Sequence, residues 1–215
     1  MDIKKLIYKN PALSGEYPEF KIEAAPDNPL DTFYEWFDHA VEAEVLEPSA
    51  FVFSTADEQG SPGARIVNLR DMDDEGFIIG SNSESRKGLD MENNKNVAMT
   101  FYWREVGRQI RISGRVEIAE DEENRADFIK RNKTSKALSI IARQSEELGS
   151  MDELDREMQR AMEWVENDKE AYKTWTLYKV KPEKMEFFQA RKDLAHIRLE
   201  YEKDRGIWHK HLLWP

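Results

Sequence analysis

The stretch RQIRISGRVEI, residues 108–118, alternates between apolar and polar side chains, and this pattern constrains the fold more than any other feature. Ile110, Ile112, Val116 and Ile118 fall on one side, and mostly charged side chains fall on the other. Successive side chains of a β-strand point to opposite faces, and strands with one apolar face are typical of antiparallel sheets. The stretch therefore predicts an antiparallel strand that is buried on one side.

Other short β-prone segments lie before and after this strand, and turn-forming clusters of Gly, Pro, Asn, Asp and Ser separate many of them. They are residues 50–55, 64–70, 77–81, 97–103, 175–182, 184–189, 196–204 and 206–215. Short strands at regular spacing predict an antiparallel β-barrel with helices packed outside it. The predicted fold class is α+β, mainly β with helices.

The clearest helix covers residues 28–45. Asn28 can cap its first turn, and Pro29 suits the first helical position. The apolar residues recur at helical spacing and predict one buried face. That face would consist of Leu30, Phe33, Phe37, Ala40 and Val41.

Residues 121–168 also have a helical pattern, with one helix predicted at residues 121–132 and another at residues 151–168. The apolar stripe of the later helix would contain Leu154, Met158, Met162 and Val165. By contrast, residues 1–27 contain three prolines and predict an irregular N-terminal arm or lid. Residues 28–215 would then form a single domain.

Composition excludes several classes of protein. The chain has 215 residues and no Cys, which excludes disulfides, thiolate zinc sites and cysteine nucleophiles, and a cytoplasmic location is expected. No apolar stretch approaches the roughly 20 residues of a membrane span, and the N-terminal residues lack a signal-peptide core. The formal charge of −11 argues against a nucleic-acid partner. No glycine-rich nucleotide loop occurs, and no third ligand lies near the pair His209 and His211, so no metal site is predicted.

The stretch SNSESRKGLDMENN, residues 81–94, predicts a helix that begins after Ser83 or Ser85. Its first turn carries Arg86 and Lys87, although a helix N-terminus is already positive and usually attracts acidic side chains. Two interpretations are open at this point. An anion such as a phosphate could bind there, or both side chains could simply face water.

Two further arginines bracket the strand at residues 64–70. Arg65 and Arg70 are five positions apart, so they would point to opposite faces unless a β-bulge intervenes. They could contribute to sites on different faces, or they could be ordinary surface arginines. Gln109 lies on the polar side of its strand, where its amide could pair with a planar heterocycle or with water.

Six stretches, in this order along the chain, resemble the pyridoxamine 5′-phosphate oxidase family of FMN-binding split barrels. They are RIVNLR, GFIIGSNSESRKG, FYWREVGRQIRISGRVE, RQSEEL, KMEFFQ and HIRLEY. The resemblance runs from about residue 28 to the C-terminus and implies an antiparallel split β-barrel. The RQSE stretch and the helix after it are also similar to the flavin oxidases of phenazine biosynthesis.

The resemblance implies a cofactor, FMN, and a homodimer with FMN at the interface. Arg65, Arg86 and Lys87 would hold the FMN phosphate together with the Ser81 hydroxyl. Gln109 would bond the flavin ring, and the second subunit would supply Gln144, Ser145, Phe188 and Arg198. The complete set of implied cofactor-binding residues is Arg65, Ile66, Val67, Asn68, Leu69, Gly80, Ser81, Arg86, Lys87, Gln109, Gln144, Ser145, Phe188 and Arg198.

The same resemblance implies a substrate site, which departs from the family pattern. The implied substrate-binding residues are Arg70, Arg131, Ser135 and His196, with His196 also catalytic. Asp127 stands where the family has Tyr, Leu194 stands where it has Arg, and Arg70 replaces a Lys. A carboxylate beside a substrate phosphate is unfavourable. The residues that the family uses to bind the flavin are therefore retained more completely than those that it uses to bind the substrate.

The implied activity is that of an FMN-dependent oxidase. Pyridoxamine or pyridoxine 5′-phosphate would be oxidised to pyridoxal 5′-phosphate, with O₂ as the acceptor and H₂O₂ as a product. Two alternatives remain at this point. The chain could oxidise another reduced aromatic substrate, as in phenazine biosynthesis, or it could bind flavin or pyridoxal phosphate with little turnover.

Overall fold

A computed structural model describes residues 3–9, 13, 15–165 and 173–215 of the protein. The helices are α1 Ile3–Tyr8, α2 Pro29–Glu42, α3 Arg86–Asn93, α4 Asp121–Lys130, α5 Lys133–Ile141 and α6 Met151–Trp164, with short 3₁₀ helices at Ile22–Ala24 and Arg104–Val106. The strands are β1 Ala50–Ala56, β2 Pro62–Met72, β3 Phe77–Asn82, β4 Asn96–Trp103, β5 Arg108–Ile118, β6 Trp175–Gln189, β7 Ile197–Asp204 and β8 Ile207–Leu212.

The strands have the hydrogen-bonded order β3-β2-β1-β4-β5-β6-β7-β8, and β3 also pairs with β6. The additional antiparallel pairing of β3 with β6 closes six strands into a barrel, and β7 and β8 extend the sheet beyond it. The predicted α+β fold with an antiparallel split barrel is confirmed.

The chain divides into two compact units, each assembled from separate segments. The first unit comprises Met1–Val52, Ala98–Ser113 and Pro182–Pro215. The second unit comprises Phe53–Val97 and Gly114–Lys181. An aromatic core stabilises the first unit, with Phe33 and Trp36 of α2 among its buried side chains.

Strand β6 corrects the prediction of two strands at residues 175–182 and 184–189. It is one continuous strand of 15 residues. Its pairing with β3 ends at Val180 and its pairing with β7 begins at Lys184. Pro182 falls between these two ladders, where the missing N–H costs neither of them a hydrogen bond.

Helix α2 begins as predicted, because the Asn28 side chain accepts a hydrogen bond from the Leu30 N–H and Pro29 is the first helical residue. Its predicted buried face is partly wrong. Trp36 is buried, at 4% exposure, whereas Val41 is 53% exposed. With about 3.6 residues per turn, the stripe that runs through Phe33 and Trp36 turns away from Val41.

The predicted helix at residues 121–132 ends earlier, at Lys130, because Asn132 caps the next helix by accepting a hydrogen bond from the Ser135 N–H. Helix α6 begins at Met151 as predicted, and its stripe of Leu154, Met158, Met162 and Val165 is half-buried. Its predicted last three residues, 166–168, lie outside the described residues.

The N-terminal segment is less irregular than predicted, since it contains α1 and the 3₁₀ helix Ile22–Ala24. Residues 1, 2, 10–12 and 14 of that segment lie outside the described residues, and its role as an arm or lid stays a prediction. None of the helices in the described parts of the chain is long and apolar enough to cross a membrane.

Candidate functional site

A cavity of about 620 Å³ lies within the second unit and contains many of the predicted site residues. Strands β2 and β3, the first turn of α3, the start of β6, helices α5 and α6 and the loops beside them form its walls. The predicted residues that line it are Arg65, Ile66, Val67, Asn68, Arg70, Gly80, Ser81, Lys87, Arg131 and Gln144.

The structure does not bring every predicted residue into this cavity. Leu69, Arg86, Ser135 and Ser145 belong to the second unit but do not line the cavity. Gln109, Phe188, His196 and Arg198 belong to the first unit and form no part of its wall.

Both Arg65 and Arg70 reach the same cavity, so the expectation for a regular strand is wrong and the β-bulge alternative is correct. Leu69 pairs with Ile79 and Asp71 pairs with Ile78, which leaves Arg70 as the extra residue of a bulge in β2. One extra residue shifts the alternation of side chains along a strand. The bulge therefore lets two arginines at an odd spacing serve one site.

Lys87 is the cation of helix α3 that faces the cavity. Its Nζ donates hydrogen bonds to Ser85 Oγ at 3.1 Å and to Gln144 Oε1 at 3.0 Å, and the residue is only 9% exposed. In the described part of the chain, no carboxylate lies within ion-pair distance of it. Burial, and next the nearby charge of Arg65, lower the pKa of Lys87 to about 8.

Arg86, its neighbour, is engaged elsewhere. Its Nε donates to Asp90 Oδ1 at 3.0 Å and its Nη2 donates to Asp57 Oδ2 at 2.9 Å, while the side chain is mostly exposed. The two cations of the first turn thus differ. Lys87 presents an unpaired charge to the cavity, and Arg86 is an exposed residue bound to carboxylates.

Asp90 is a buried anchor for the arginines on this side of the cavity. It accepts a hydrogen bond from Thr55 Oγ1 at 2.7 Å, and Arg65 Nη2 lies 3.9 Å from it. Arg65 also donates from Nη1 to Thr55 Oγ1 and to the carbonyl oxygens of Phe53 and Gly63. These contacts fix the Arg65 side chain beside the cavity.

The donors around the start of α3 fit a phosphate group. Ser85 caps the helix by accepting a hydrogen bond from the Gly88 N–H, so the positive end of the helix dipole lies here. Asn82 lines the cavity, and its Nδ2 is buried without a partner among the described residues. With Lys87, the Ser81 hydroxyl and Arg65, this set offers an anion several donors. The phosphate of FMN, the implied cofactor, matches that chemistry.

Opposite charges meet in another part of the cavity wall, in a group that we call the Trp175 cluster (Arg70, Asp127, Arg131 and Trp175). Arg70 donates from Nε at 3.0 Å and from Nη2 at 2.6 Å to Asp127 Oδ1. The Trp175 indole N–H donates to Asp127 Oδ2 at 2.8 Å. Asp127 is therefore already satisfied by a cation and an indole.

Arg131 completes the Trp175 cluster from the other side. Its guanidinium carbon lies 3.5 Å from the centroid of the Trp175 ring, which is a cation–π contact. Its Nη2 donates to the Ser135 carbonyl oxygen, whereas its Nε is buried and has no described partner. Burial first, and then the charge of Arg70, lower the pKa of Arg131.

Gly80 is required for this packing. A Cβ atom at this position would lie 2.2 Å from Trp175 Cζ2 and 2.9 Å from Arg70 Cδ. Only glycine lets both side chains approach the backbone of β3 so closely.

Gln144 lines the cavity of its own chain. Its Oε1 accepts a hydrogen bond from Lys87, and its predicted role in completing the site from the second subunit stays a prediction. Ser145 adds a weak contact nearby, since its Oγ lies 3.5 Å from the Arg86 N–H nitrogen.

Predicted residues of the first unit form a separate group. Phe188 and His196 have ring centroids 5.0 Å apart, and Phe188 is opposite Arg198 in the β6–β7 pairing. His196 Nδ1 accepts a hydrogen bond from the Arg191 N–H. Arg198 is held by two hydrogen bonds to the buried Glu186. Their predicted roles toward a flavin and a substrate stay predictions.

Asn82 and Trp175 are among the cavity-lining residues that sequence reasoning missed. Asn82 directly follows the predicted Ser81, within one of the stretches that carry the resemblance, and Trp175 is the first residue of the strand predicted at residues 175–182. No local signal reveals an unpartnered amide or an indole bound to a carboxylate 48 positions away. Within the described residues, no group of three or more acidic or histidine side chains could hold a metal ion.

Comparison with protein families gives two matches. The family described as pyridoxamine 5′-phosphate oxidase matches residues 37–165, and the pyridoxine 5′-phosphate oxidase C-terminal dimerisation region matches residues 175–215. The latter match indicates that the chain forms a homodimer.

Individual relatives agree with these matches. The pyridoxine/pyridoxamine 5′-phosphate oxidase of Cupriavidus taiwanensis is 39% identical over 186 residues, which cover 86% of each chain. That of Rubrobacter xylanophilus is 36% identical over 196 residues, which cover 90% of this chain and 89% of the relative.

Solved structures share the fold. PhzG from Burkholderia lata 383, in complex with tetrahydrophenazine-1-carboxylic acid, has a TM-score of 0.86 and 29% identity, and the match covers 94% of this chain and 100% of that one. A pyridoxamine 5′-phosphate oxidase-related, FMN-binding protein from Nostoc punctiforme has a TM-score of 0.69 at 13% identity, with 85% and 97% covered. Together with the sequence matches, these likenesses show that the chain belongs to the pyridoxamine 5′-phosphate oxidase family and is a flavin-dependent oxidoreductase.

Proposed function

We propose that this protein is an FMN-dependent oxidase and that the cavity of the second unit binds FMN with its phosphate at the start of α3. The observation that carries the proposal is the buried, unpaired Lys87. A buried ammonium without a carboxylate is costly unless an anion completes its surroundings. The unpartnered Asn82 amide beside it supports the same conclusion, because it offers a further donor.

Each residue at that end has a distinct task. Lys87 and Arg65 would neutralise the phosphate, and the Ser81 hydroxyl and the Asn82 amide would donate hydrogen bonds to its oxygens. Asp90 would position Arg65 through their ion pair. Arg86 is the predicted phosphate ligand with the least support, because its guanidinium is bound to Asp57 and Asp90.

Strand β2 contributes Ile66, Val67 and Asn68 to the cavity wall. Residues 66–69 would run beside the flavin ring and the ribityl chain, and Gln109, Phe188 and Arg198 would complete the cofactor site at the homodimer interface. FMN, when bound, supplies hydride acceptance from the substrate and reoxidation by O₂, which releases H₂O₂. His196 would act on the substrate at the reacting carbon.

Pyridoxamine or pyridoxine 5′-phosphate is the first candidate substrate. Relatives that carry this name are 36–39% identical over most of the chain. Arg70 and Arg131 would bind its phosphate, and Ser135 would support Arg131 through its carbonyl oxygen.

A second candidate, a reduced aromatic carboxylic acid, is favoured by one specific observation. Asp127 already binds Arg70, so one of the two cations for a substrate phosphate is engaged. The structure of PhzG contains a ligand of this chemical class.

Anaerobic mixing of the purified, FMN-loaded protein with pyridoxamine 5′-phosphate tests the proposal. Loss of the visible flavin absorbance within seconds is expected for an oxidase with this substrate. Tight binding without loss of absorbance would favour a carrier with little turnover. If pyridoxamine 5′-phosphate does not bind, the reduced aromatic carboxylic acid remains as the candidate substrate.

The cofactor assignment needs its own variant. Lys87→Gln should release FMN on a desalting column, whereas Lys130→Gln, which changes an exposed lysine of α4, should retain it. Stoichiometric FMN in the Lys87→Gln protein would contradict the assigned phosphate position.

A further inference from the structure

Asp127 controls how much positive charge the Trp175 cluster can offer to a ligand. Arg70 lines the cavity, but two of its nitrogens bind one oxygen of Asp127. The other oxygen of Asp127 accepts the Trp175 indole N–H, and the carboxylate is only 17% exposed. A ligand that needs Arg70 must therefore share it with a fixed negative charge.

Arg131 is the cation of the cluster that remains available. It stacks on Trp175, its Nε is buried without a described partner, and it lines the cavity. Among the described residues, no carboxylate lies within ion-pair distance of its guanidinium. With Arg70 paired to Asp127, the net charge of the cluster is that of Arg131 alone.

This charge suits some anions better than others. A phosphate monoester carries a charge of about −1.5 to −2 near neutral pH and binds best where two cations meet it. A carboxylate carries one charge, and a planar guanidinium binds it in a bidentate manner. An approaching phosphate would leave its second charge facing Asp127, and like charges at short range oppose binding.

We propose that Asp127 is a specificity-determining residue, which holds Arg70 and shifts the preference of this cavity from a phosphate ester toward a planar aromatic carboxylate. The inference rests on the proposed function, because it takes the Trp175 cluster as the substrate end of a flavin site. It names the chemical feature that separates the two candidate substrates.

Ligand titrations of the FMN-loaded dimer test this proposal. The probes are 4-deoxypyridoxine 5′-phosphate, which cannot be oxidised at the missing hydroxyl, and phenazine-1-carboxylate. Changes in the visible flavin absorbance report the binding of each. Asp127→Asn is the main variant, because its amide oxygen can still accept the Trp175 indole N–H while the negative charge is lost.

Asp127→Asn should raise the affinity for the phosphate probe relative to the carboxylate probe by about tenfold or more, as expected when one charge-assisted contact is gained. Glu122→Gln removes a carboxylate from the exposed part of the same helix and should leave the ratio unchanged. In an Arg70→Gln background, Asp127→Asn should also favour the phosphate probe, because Asp127 then opposes a phosphate without a cation to compensate its charge.

An unchanged ratio in Asp127→Asn would overturn the proposal, and so would an unchanged ratio when the same substitution is made in the Arg70→Gln background. If Asp127→Asn fails to load FMN, Arg70→Gln alone decides. The Arg70→Gln substitution leaves the charge of Asp127 uncompensated, so it should lower the affinity for the phosphate probe more than the affinity for the carboxylate probe. An equal loss of affinity for both probes would overturn the assignment. Failure of the wild-type protein to bind FMN is a separate result, which contradicts the proposed function itself.

Discussion

Replacement of Lys87 with Met should separate the cost of burying this charge from its use in binding. Lys87 is 9% exposed, and its pKa is lowered to about 8 from the ordinary value of 10.5. Between these values the unfolded chain holds a proton that the folded protein has released. The folded state therefore becomes more stable as the pH rises through this window, and this gain is lost as the pH falls toward 8.

The magnitude follows from the same two values. At about 1.4 kcal/mol for each tenfold change, the difference between 10.5 and about 8 corresponds to about 3 kcal/mol. Met has a similar length and no charge, so the Lys87→Met protein lacks this pH-dependent contribution. The free energy of unfolding of the wild type, relative to that of Lys87→Met, should rise by about 2–3 kcal/mol between pH 8 and about pH 10.

Urea unfolding of both FMN-free proteins across this range measures the difference. Lys130→Met serves as a control for the loss of an exposed lysine. Added FMN should abolish the pH-dependent gain of the wild type, because a phosphate beside Lys87 favours its charged form. The reasoning about a buried and unpaired ammonium would be refuted if, without FMN, the difference in the free energy of unfolding between the wild type and Lys87→Met did not change with pH. It would also be refuted if the pH dependence of that difference remained after FMN was added.

Three further substitutions test other parts of the structure. Asp90→Asn should lower the free energy of unfolding by about 1–3 kcal/mol, because Arg65 and Arg86 lose a buried partner, and thermal unfolding would detect this. An unchanged melting temperature would show that the Asp90 pairs contribute nothing. Leu194→Arg restores the family's arginine at an exposed position and should raise pyridoxamine 5′-phosphate turnover by about tenfold if that contact limits the reaction, and an unchanged rate would reject this diagnosis. Gly80→Ala should cost about 1–3 kcal/mol and displace Trp175, which tryptophan fluorescence would report, and an unperturbed spectrum would contradict the close packing at Gly80.

Most elements of the fold could be predicted from sequence, because helix capping and the alternation of side chains along a strand depend on residues that are close together in the chain. Asn28 caps α2 and Pro29 begins it, as their types require. The alternation in residues 108–118 is observed as a strand whose alternate residues are buried from Arg108 to Val116, whereas Ile118, which was predicted on the buried side, is 60% exposed. The errors arose where a distant partner decides the outcome. Pro182 does not end β6, because its neighbours pair with different strands on either side of it.

The part of the candidate site that lies within a single sequence motif could be predicted. The first turn of α3 was recognised from sequence, but the different roles of Arg86 and Lys87 were not. Arg86 is directed by Asp57, which lies 29 positions earlier in the chain, and no local pattern indicates that approach. The shared position of Arg65 and Arg70 likewise depends on a bulge, which arises from the register of β2 against β3.

The distribution of charge around the cavity shows why the overall balance of −11 is uninformative about the ligand. Asp90 lies beside Arg65, Asp127 binds Arg70, and Arg143 binds Glu146 and Glu153. Lys87 and Arg131 are the cavity-lining cations with no ion-pair partner in the described part of the chain. They belong to different groups of the cavity wall, the start of α3 and the Trp175 cluster. A cavity with two separate unpaired cations is suited to two anionic ligands, or to one with an anionic group at each end, as an oxidase that binds a flavin phosphate and an acidic substrate requires.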